Sequence, residues 1–186
     1  MSLSVSITGS DPVSLASGKA HLRILHDDDD GQISNLITTA LDTIERQTGR
    51  LFREATCVLK LRSFPDGPIY LPRYPLQSIT SIAYIDSDGE SQTLTNYLTD
   101  SGIPAAVEPA VNATWPTTQD RPDAVTVTFV AGTETTPASI KHAVMLLIDL
   151  DYHEHSTQEA NRIQRRVDDL LRPFRLRENV LIGVRE

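Results

Sequence analysis

The sequence is poor in most of the residue types that announce a chemistry. Of its 186 residues one is cysteine, Cys57. A single thiol cannot staple a small secreted scaffold and cannot build a four-cysteine zinc site. Aromatics make up 5%, and Lys19, Lys60 and Lys141 are all the lysine there is. No apolar run approaches the roughly 18–20 residues of a membrane-spanning helix, so no membrane partner is expected. The opening MSLSVSITGSDPVS has neither a basic nor an apolar leader region, and no signal peptide is expected. There is no Gly-x-Ser-x-Gly elbow, and no glycine precedes Lys-Ser or Lys-Thr as in a phosphate-binding loop. Hydrophobic residues reach 39%, under the usual range of about 45–50% with glycine counted. That permits a core and leaves surface for a partner to cover.

What is present is acid, with arginine concentrated at one end. Seventeen cationic side chains face 25 carboxylates, a formal charge of −8. An acidic chain is a poor generic duplex binder, because that affinity comes from lysine and arginine on phosphate. From Arg162 to Glu186, however, seven arginines meet four acids, so this segment is +3 and the remainder −11. Fourteen of the 17 cations are arginine, whose fork suits carboxylates and phosphates better than simple solvation requires.

The length suits one domain, or one domain with an appended arm. Residues 1–12 are polar without a period and are expected to be flexible. Ser14 predicts the cap of a helix near 14–25, which Gly18 weakens. Ile33, Leu36, Ile37, Ala40, Leu41 and Ile44 form a stripe of helical period, predicting a helix over 28–48 with Asp27, Asp28, Asp29 and Asp30 at its start and Gly49 at its end. Strands are expected at Val58–Leu61, Ile69–Leu71, Ser78–Ile85, Gln92–Leu94 and Ala124–Val130, with Asp88-Gly89 marking a hairpin turn. Four prolines between 100 and 123 predict a loop there. Thr136-Pro137 opens a helix over 137–152, and Ile163, Val167, Leu170 and Leu171 predict another over 160–172. The expected fold is therefore α+β and mainly a helical bundle over 13–174. It carries an antiparallel β insertion at about 55–132 and ends in a tail, 175–186.

Candidate chemistry thins out under inspection. His26 with Asp27–Asp30 has the atoms for a hard cation, but four adjacent aspartates cannot converge on one ion; a solvated helix cap is the expectation. His142, Asp149, Asp151, His153, Glu154 and His155 lack the i, i+4 histidine pair that puts two imidazoles on one helix face, so no metal or other cofactor is expected. Cys57 reads as a small buried hydrophobe. The arginines of the last helix, Arg162, Arg165, Arg166 and Arg172, lie on its polar side and suit an acidic protein surface or a phosphate.

Several ordered stretches carry a resemblance. They are DPVSLASGKAHLRI (11–24), IERQTGR (44–50), LPRYPLQSITSIAYID (71–86), Trp115-Pro116, RPDAVTVTFVAG (121–132) and PASIKHAVMLL (137–147). Together, over roughly 11–174, the chain resembles head–tail connector (adaptor) proteins of tailed bacteriophages and prophages. Ser17 and Gly18 depart from the pattern, where an acidic residue and a better helix former are usual. The resemblance implies a non-enzymatic virion protein at the head–tail junction, assembled in the host cytoplasm. It implies a ring of commonly twelve subunits under the portal, continuing the DNA channel and docking the next neck or tail component. On that basis Asp27–Asp30 are expected to line the channel, through which DNA passes without sequence-specific binding. Arg162, Arg165, Arg166, Arg172, Val180, Leu181 and Ile182 are expected to meet the portal or a neighbouring subunit. Two alternatives remain: a DNA-packaging factor gripping phosphate through the arginine helix, and a small hydrolase built on the Asp/His residues near 149–155.

Overall fold

The computed structural model describes residues 1–176, which divide into two compact units. One is helical and comprises Ser10–Arg53 with Glu134–Leu176. Its helices are α1 (Leu15–Leu22), α2 (Asp30–Thr48), α3 (Ala138–Tyr152) and α4 (Thr157–Leu171), followed by a short 3-10 turn, Arg172–Phe174. The i, i+3, i+4 stripe of α2 supplies Ile33, Ile37, Ala40, Leu41 and Ile44 to one core with Ile140, Ala143, Val144 and Ile148 of α3 and Val167 and Leu171 of α4. Burial of such stripes, far more than helix propensity, is what holds short helices together.

Gly18 finds its reason here. A Cβ at this position would lie 3.1 Å from Ile37 Cδ1 and 3.3 Å from Ile33 Cγ2. The glycine lowers the helix propensity of α1 by about 1 kcal/mol and in exchange lets it approach α2 closely. The helix boundaries show two further departures from expectation. Thr136 does not cap α3: its hydroxyl donates to the carbonyl of Phe52 (2.9 Å), and Pro137 stands at the cap. The last helix begins at Thr157, where Ser156 and Glu159 form a reciprocal capping box.

The same unit holds a buried ion network. Arg53 is 5% exposed; its guanidinium donates to Glu45 Oε2 (2.9 Å), to Asp42 and to Asp11 Oδ1 (3.3 Å). Glu45 Oε1 accepts the Phe52 N–H at 2.8 Å. Burial disfavours the Arg53 charge, but the bonds from Glu45 and Asp42 outweigh it and hold the guanidinium above its already high ordinary range.

The β unit comprises Met1–Gly9 and Glu54–Thr133. Its strands are β1 (Ser2–Ile7), β2 (Ala55–Leu61), β3 (Ile69–Leu71), β4 (Leu76–Ile85), β5 (Ser91–Thr93), β6 (Tyr97–Asp100), β7 (Ala105–Pro109) and β8 (Val125–Ala131). They form two antiparallel sheets, β1-β2-β8-β4-β5 and β3-β7-β6. The period-2 pattern of β8 sends Val125, Val127, Phe129 and Ala131 inward, and the strand sits centrally, pairing Phe129 with both Cys57 and Ile79. Cys57 is buried, and burial pushes its thiol up to about 11. Tyr74 is also buried, and its hydroxyl has no hydrogen-bond partner among the described residues.

This architecture corrects the expectation of a mainly helical bundle. Helix accounts for 34% of the described residues and strand for 27%, a mixed α+β fold with two sheets. The difference lies in segments that read as irregular. Ser2–Ile7 form an edge strand against β2, and 97–109, partly assigned to a proline-bounded loop, supply β6 and β7. Pro104 and Pro109 bracket β7, with Pro109 at its last position, where a missing ladder donor costs least.

Candidate functional site

Three uncovered surfaces stand out among the described residues. The first is the outer face of α4. Ser156 starts the helix, and Val167 and Leu171 turn one stripe into the core. The 3.6-residue period then leaves Gln158, Asn161, Arg162, Arg165, Arg166 and Asp169 lining an open cleft of about 510 Å³. Arg162, Arg165 and Arg166 are exposed, and Arg165 and Arg166 have no hydrogen bond or ion pair with the described residues. Arg172 is exposed at the C-cap, outside the cleft lining, while the neighbouring Arg175 pairs with Asp168 at 2.8 Å. Val180, Leu181 and Ile182 lie outside the described residues.

The second surface is the hairpin joining β4 to β5. Asp86 builds it from inside. Its carboxylate accepts the Asp88 N–H (3.0 Å), the Glu90 N–H (2.9 Å) and the Gln92 amide (2.9 Å). The bond from Gln92, then those from the backbone, hold the Asp86 carboxyl below its ordinary value. Gly89 takes φ 87°, the left-handed conformation that favours glycine. At the hairpin base Phe64 stacks on Trp115 (centroids 4.8 Å apart) and meets the edge of Tyr84 of β4 at 5.6 Å. Asp88 and Glu90 project from this rigid turn, exposed.

The third surface is the outer edge of β1. It pairs with β2 in an unbroken register from Ser2↔Lys60 to Ile7↔Ala55, has no further strand on its other side, and leaves Val5 and Ile7 exposed. The opposite edge is the three-residue β5, and β4 beside it carries register shifts against β8. An uncharged, unbulged edge is a ready template for strand pairing.

The acidic run before α2 is less available than its composition suggests. Lys19 Nζ contacts both Asp27 Oδ1 and Asp30 Oδ1 at 2.6 Å. The Asp27 bond, then the Asp30 bond, hold the ammonium above its ordinary value, and Lys19 in turn depresses Asp27. Tyr152 donates to Asp29 Oδ2 at 2.6 Å, and that bond raises the phenol. Asp27 nevertheless stays 89% exposed, and Asp28 is 92% exposed with His26 Nδ1 at 3.6 Å. Nothing in a local reading of the run reveals the lysine 8 and 11 residues upstream.

The other candidates stay separate. His153 Nδ1 lies 3.0 Å from Asp149 Oδ1, and His155 Nε2 lies 3.1 Å from the Asp149 carbonyl. These contacts tie the α3 C-terminus to the connection before α4. Among the described residues no group of three His, Cys, Asp or Glu side chains is placed to hold a metal ion, and no helix is long and apolar enough to cross a membrane.

Known structures share this architecture. A structure described as the virion of a native gene transfer agent (GTA) particle contains a chain that superposes with TM-score 0.73 at 20% identity, covering 95% of this chain and 97% of that one. A chain in the neck of an empty GTA particle, computed with C6 symmetry, matches with the same values. A chain in the neck of a native GTA particle, computed with C12 symmetry, gives TM-score 0.70 at 19% identity, over the same shares of both chains. No curated protein matches the chain. The profile of the family described as "Head completion protein" matches residues 13–164, a span holding α1, α2, α3, the first half of α4 and seven of the eight strands, and this chain belongs to that family.

Proposed function

We propose that the protein is a structural component of the neck of a phage-like particle. In this reading copies of the chain form a ring under the portal, continue the DNA channel and dock the next head-closure or tail component. The observation that carries it is the family match over residues 13–164; the neck particles that share the fold were computed with C6 and C12 symmetry. A cyclic ring repeats a heterologous contact, one face of each subunit against a different face of the next. The exposed strip of β1 and the unpaired arginines of α4 are uncovered surfaces of the kind such contacts use. The reading places Arg162, Arg165, Arg166 and Arg172, with Val180, Leu181 and Ile182, at the portal or subunit interface. It places Asp27–Asp30 on the channel wall, where net negative charge repels DNA and lets it slide. Lys19 offsets the charge of Asp27 and Asp30, whereas Asp28 and Asp29 bond no lysine or arginine among the described residues.

Native mass measurement of the protein alone and with portal tests this. Ring-sized complexes that appear with portal support it; portal that never recruits the protein refutes it. Removing residues 175–186 weakens that recruitment, and unchanged binding defeats the tail's part. A solved ring with a mainly basic lumen defeats the channel assignment.

The exposed arginines of α4 favour one second reading, a packaging factor holding DNA phosphates. It predicts duplex binding that falls steeply with salt and is lost in the Arg165→Glu/Arg166→Glu variant.

A further inference from the structure

We propose that the arginine cleft of α4 receives the acidic β4–β5 hairpin of a second copy of this chain, so that these two surfaces form the repeating subunit contact. The inference rests on the neck reading and names its interface. Arg162, Arg165 and Arg166 crowd three guanidiniums onto one exposed helix face with Asp169 as the one carboxylate in the cleft lining. Gln158 and Asn161 add neutral amide donors beside them. Such a face is self-repelling alone and is relieved by carboxylates that accept the guanidinium forks.

The hairpin supplies those carboxylates already arranged. Asp86, Asp88 and Glu90 put three acids in five residues, and no described cation bonds them. Asp86 is spent on the turn, which leaves Asp88 and Glu90 as the contacting pair. Many other carboxylates already carry cations. Lys19 holds Asp27 and Asp30, Arg53 holds Asp11, Asp42 and Glu45, Arg62 holds Asp120, and Lys60 holds Asp123. The hairpin instead presents two exposed carboxylates without a bonded cation on one turn held from within, a complementary surface the chain itself offers. Because its turn is held by backbone hydrogen bonds to Asp86, little ordering entropy is lost on docking. The contact joins unlike faces, the kind that a cyclic ring repeats around its axis.

The test uses two proteins, each with one added cysteine, that leave every charge in place, Ser87→Cys on the hairpin and Asn161→Cys in the cleft. They are mixed under mild oxidation with portal present, and oligomer mass is followed in parallel. Buried Cys57 stays silent. The control pair is Ser87→Cys with Gln47→Cys, on an exposed position of α2. The expected result is a Ser87–Asn161 disulfide formed about tenfold or more faster than the control, the low end of electrostatic rate enhancement, and slowed by salt. Asp88→Arg/Glu90→Arg in the hairpin partner abolishes the preference, as does Arg165→Glu/Arg166→Glu in the cleft partner, and combining the two reversals restores it. If rings form with portal while trapping equals the control, this interface is overturned and the neck reading survives. Should no ring form and no trapping occur, both fall. Protection of the Asn161→Cys thiol by duplex DNA or by portal, without hairpin trapping, also overturns the proposal and assigns the cleft to that other occupant.

Discussion

The buried network around Arg53 makes a quantitative prediction. Arg53 and Glu45 are almost fully enclosed, their side chains 5% and 8% exposed, whereas Asp11 and Asp42 are 35% and 59% exposed. The two outer carboxylates stay solvated whether or not the arginine is there, and each exposed pair contributes only about 0–1 kcal/mol. Glu45 is different. Arg53→Met leaves its carboxylate buried with the Phe52 N–H as its remaining donor from this network. Removing one partner of a buried pair costs about 3–5 kcal/mol; with that one donor kept, the expected loss is about 3 kcal/mol, a large part of the roughly 5–15 kcal/mol that holds a domain folded. The second variant isolates the cause. Glu45→Gln removes the charge but keeps an oxygen able to accept from Phe52. Arg53→Met/Glu45→Gln is therefore expected to recover all but about 1 kcal/mol, a recovery of about 2 kcal/mol relative to Arg53→Met. Urea unfolding followed by helical circular dichroism measures both, and unchanged slopes certify that the variants are compared on one scale. A single-variant loss under about 1 kcal/mol, or a double variant no better than the single, refutes the assignment of the cost to an orphaned buried carboxylate.

Other outcomes follow from single positions. Gly18→Leu drives atoms into Ile33 and Ile37; overpacking of about 1–3 kcal/mol exceeds the gain in helix propensity of about 1 kcal/mol, so a raised urea midpoint contradicts the packing account. Tyr74→Phe deletes a buried hydroxyl with no described partner and is expected to be neutral or stabilising by up to about 1 kcal/mol; a loss above about 1 kcal/mol in the same titration reveals a partner. Cys57, its thiol pushed up to about 11 by burial, is expected to resist a thiol reagent at neutral pH and to react only in denaturant. Asp86 has a depressed carboxyl, so its contribution to hairpin order is fully present above the ordinary value of 3.8 and is lost as pH falls through the lower folded value. Amide exchange at Asp88 and Glu90, insensitive to Asp86→Ala at neutral pH, sinks that reading.

The parts of the fold that were legible are those with a strong period. The stripe of α2 and the alternation of β8 each repeat over enough residues to exclude the competing period, and the Asp88-Gly89 pair names its turn. What escapes is short or marginal. β1 does alternate, Leu3, Val5 and Ile7 against serines, but as an edge strand it buries little, and its composition matches that of an irregular terminus. β6 and β7 are four and five residues long, and their prolines bound strands here instead of a loop. The balance between helix and sheet was misjudged for that reason. At the candidate site the arginine face follows from spacing alone, since 158, 162, 165 and 169 share one side of a helix. The fate of Asp27–Asp30 does not, because Lys19 reaches them only once α1 packs beside α2. Ser156 and Glu159 did carry a readable signal: a serine followed three residues later by glutamate, ahead of the stripe of α4.

The uneven charge also bears on which assemblies are excluded. A chain of −8 carries an arginine face on α4 and an acidic hairpin between β4 and β5, two poles of opposite sign. A two-fold dimer built on either pole sets like against like, arginine face on arginine face or acidic hairpin on acidic hairpin, and repulsion of desolvated like charges costs several kcal/mol. Joining the unlike poles has no such cost, and the vacant pole left at each end recruits the next copy until the ends meet. Charge therefore disfavours the dyads that set a pole on its own copy, and the contact between unlike poles is the one a ring repeats. Reversing either pole alone gives both faces one sign and is then expected to leave monomers where the unaltered chain forms rings, while reversing both together restores the rings; native mass distinguishes these outcomes directly.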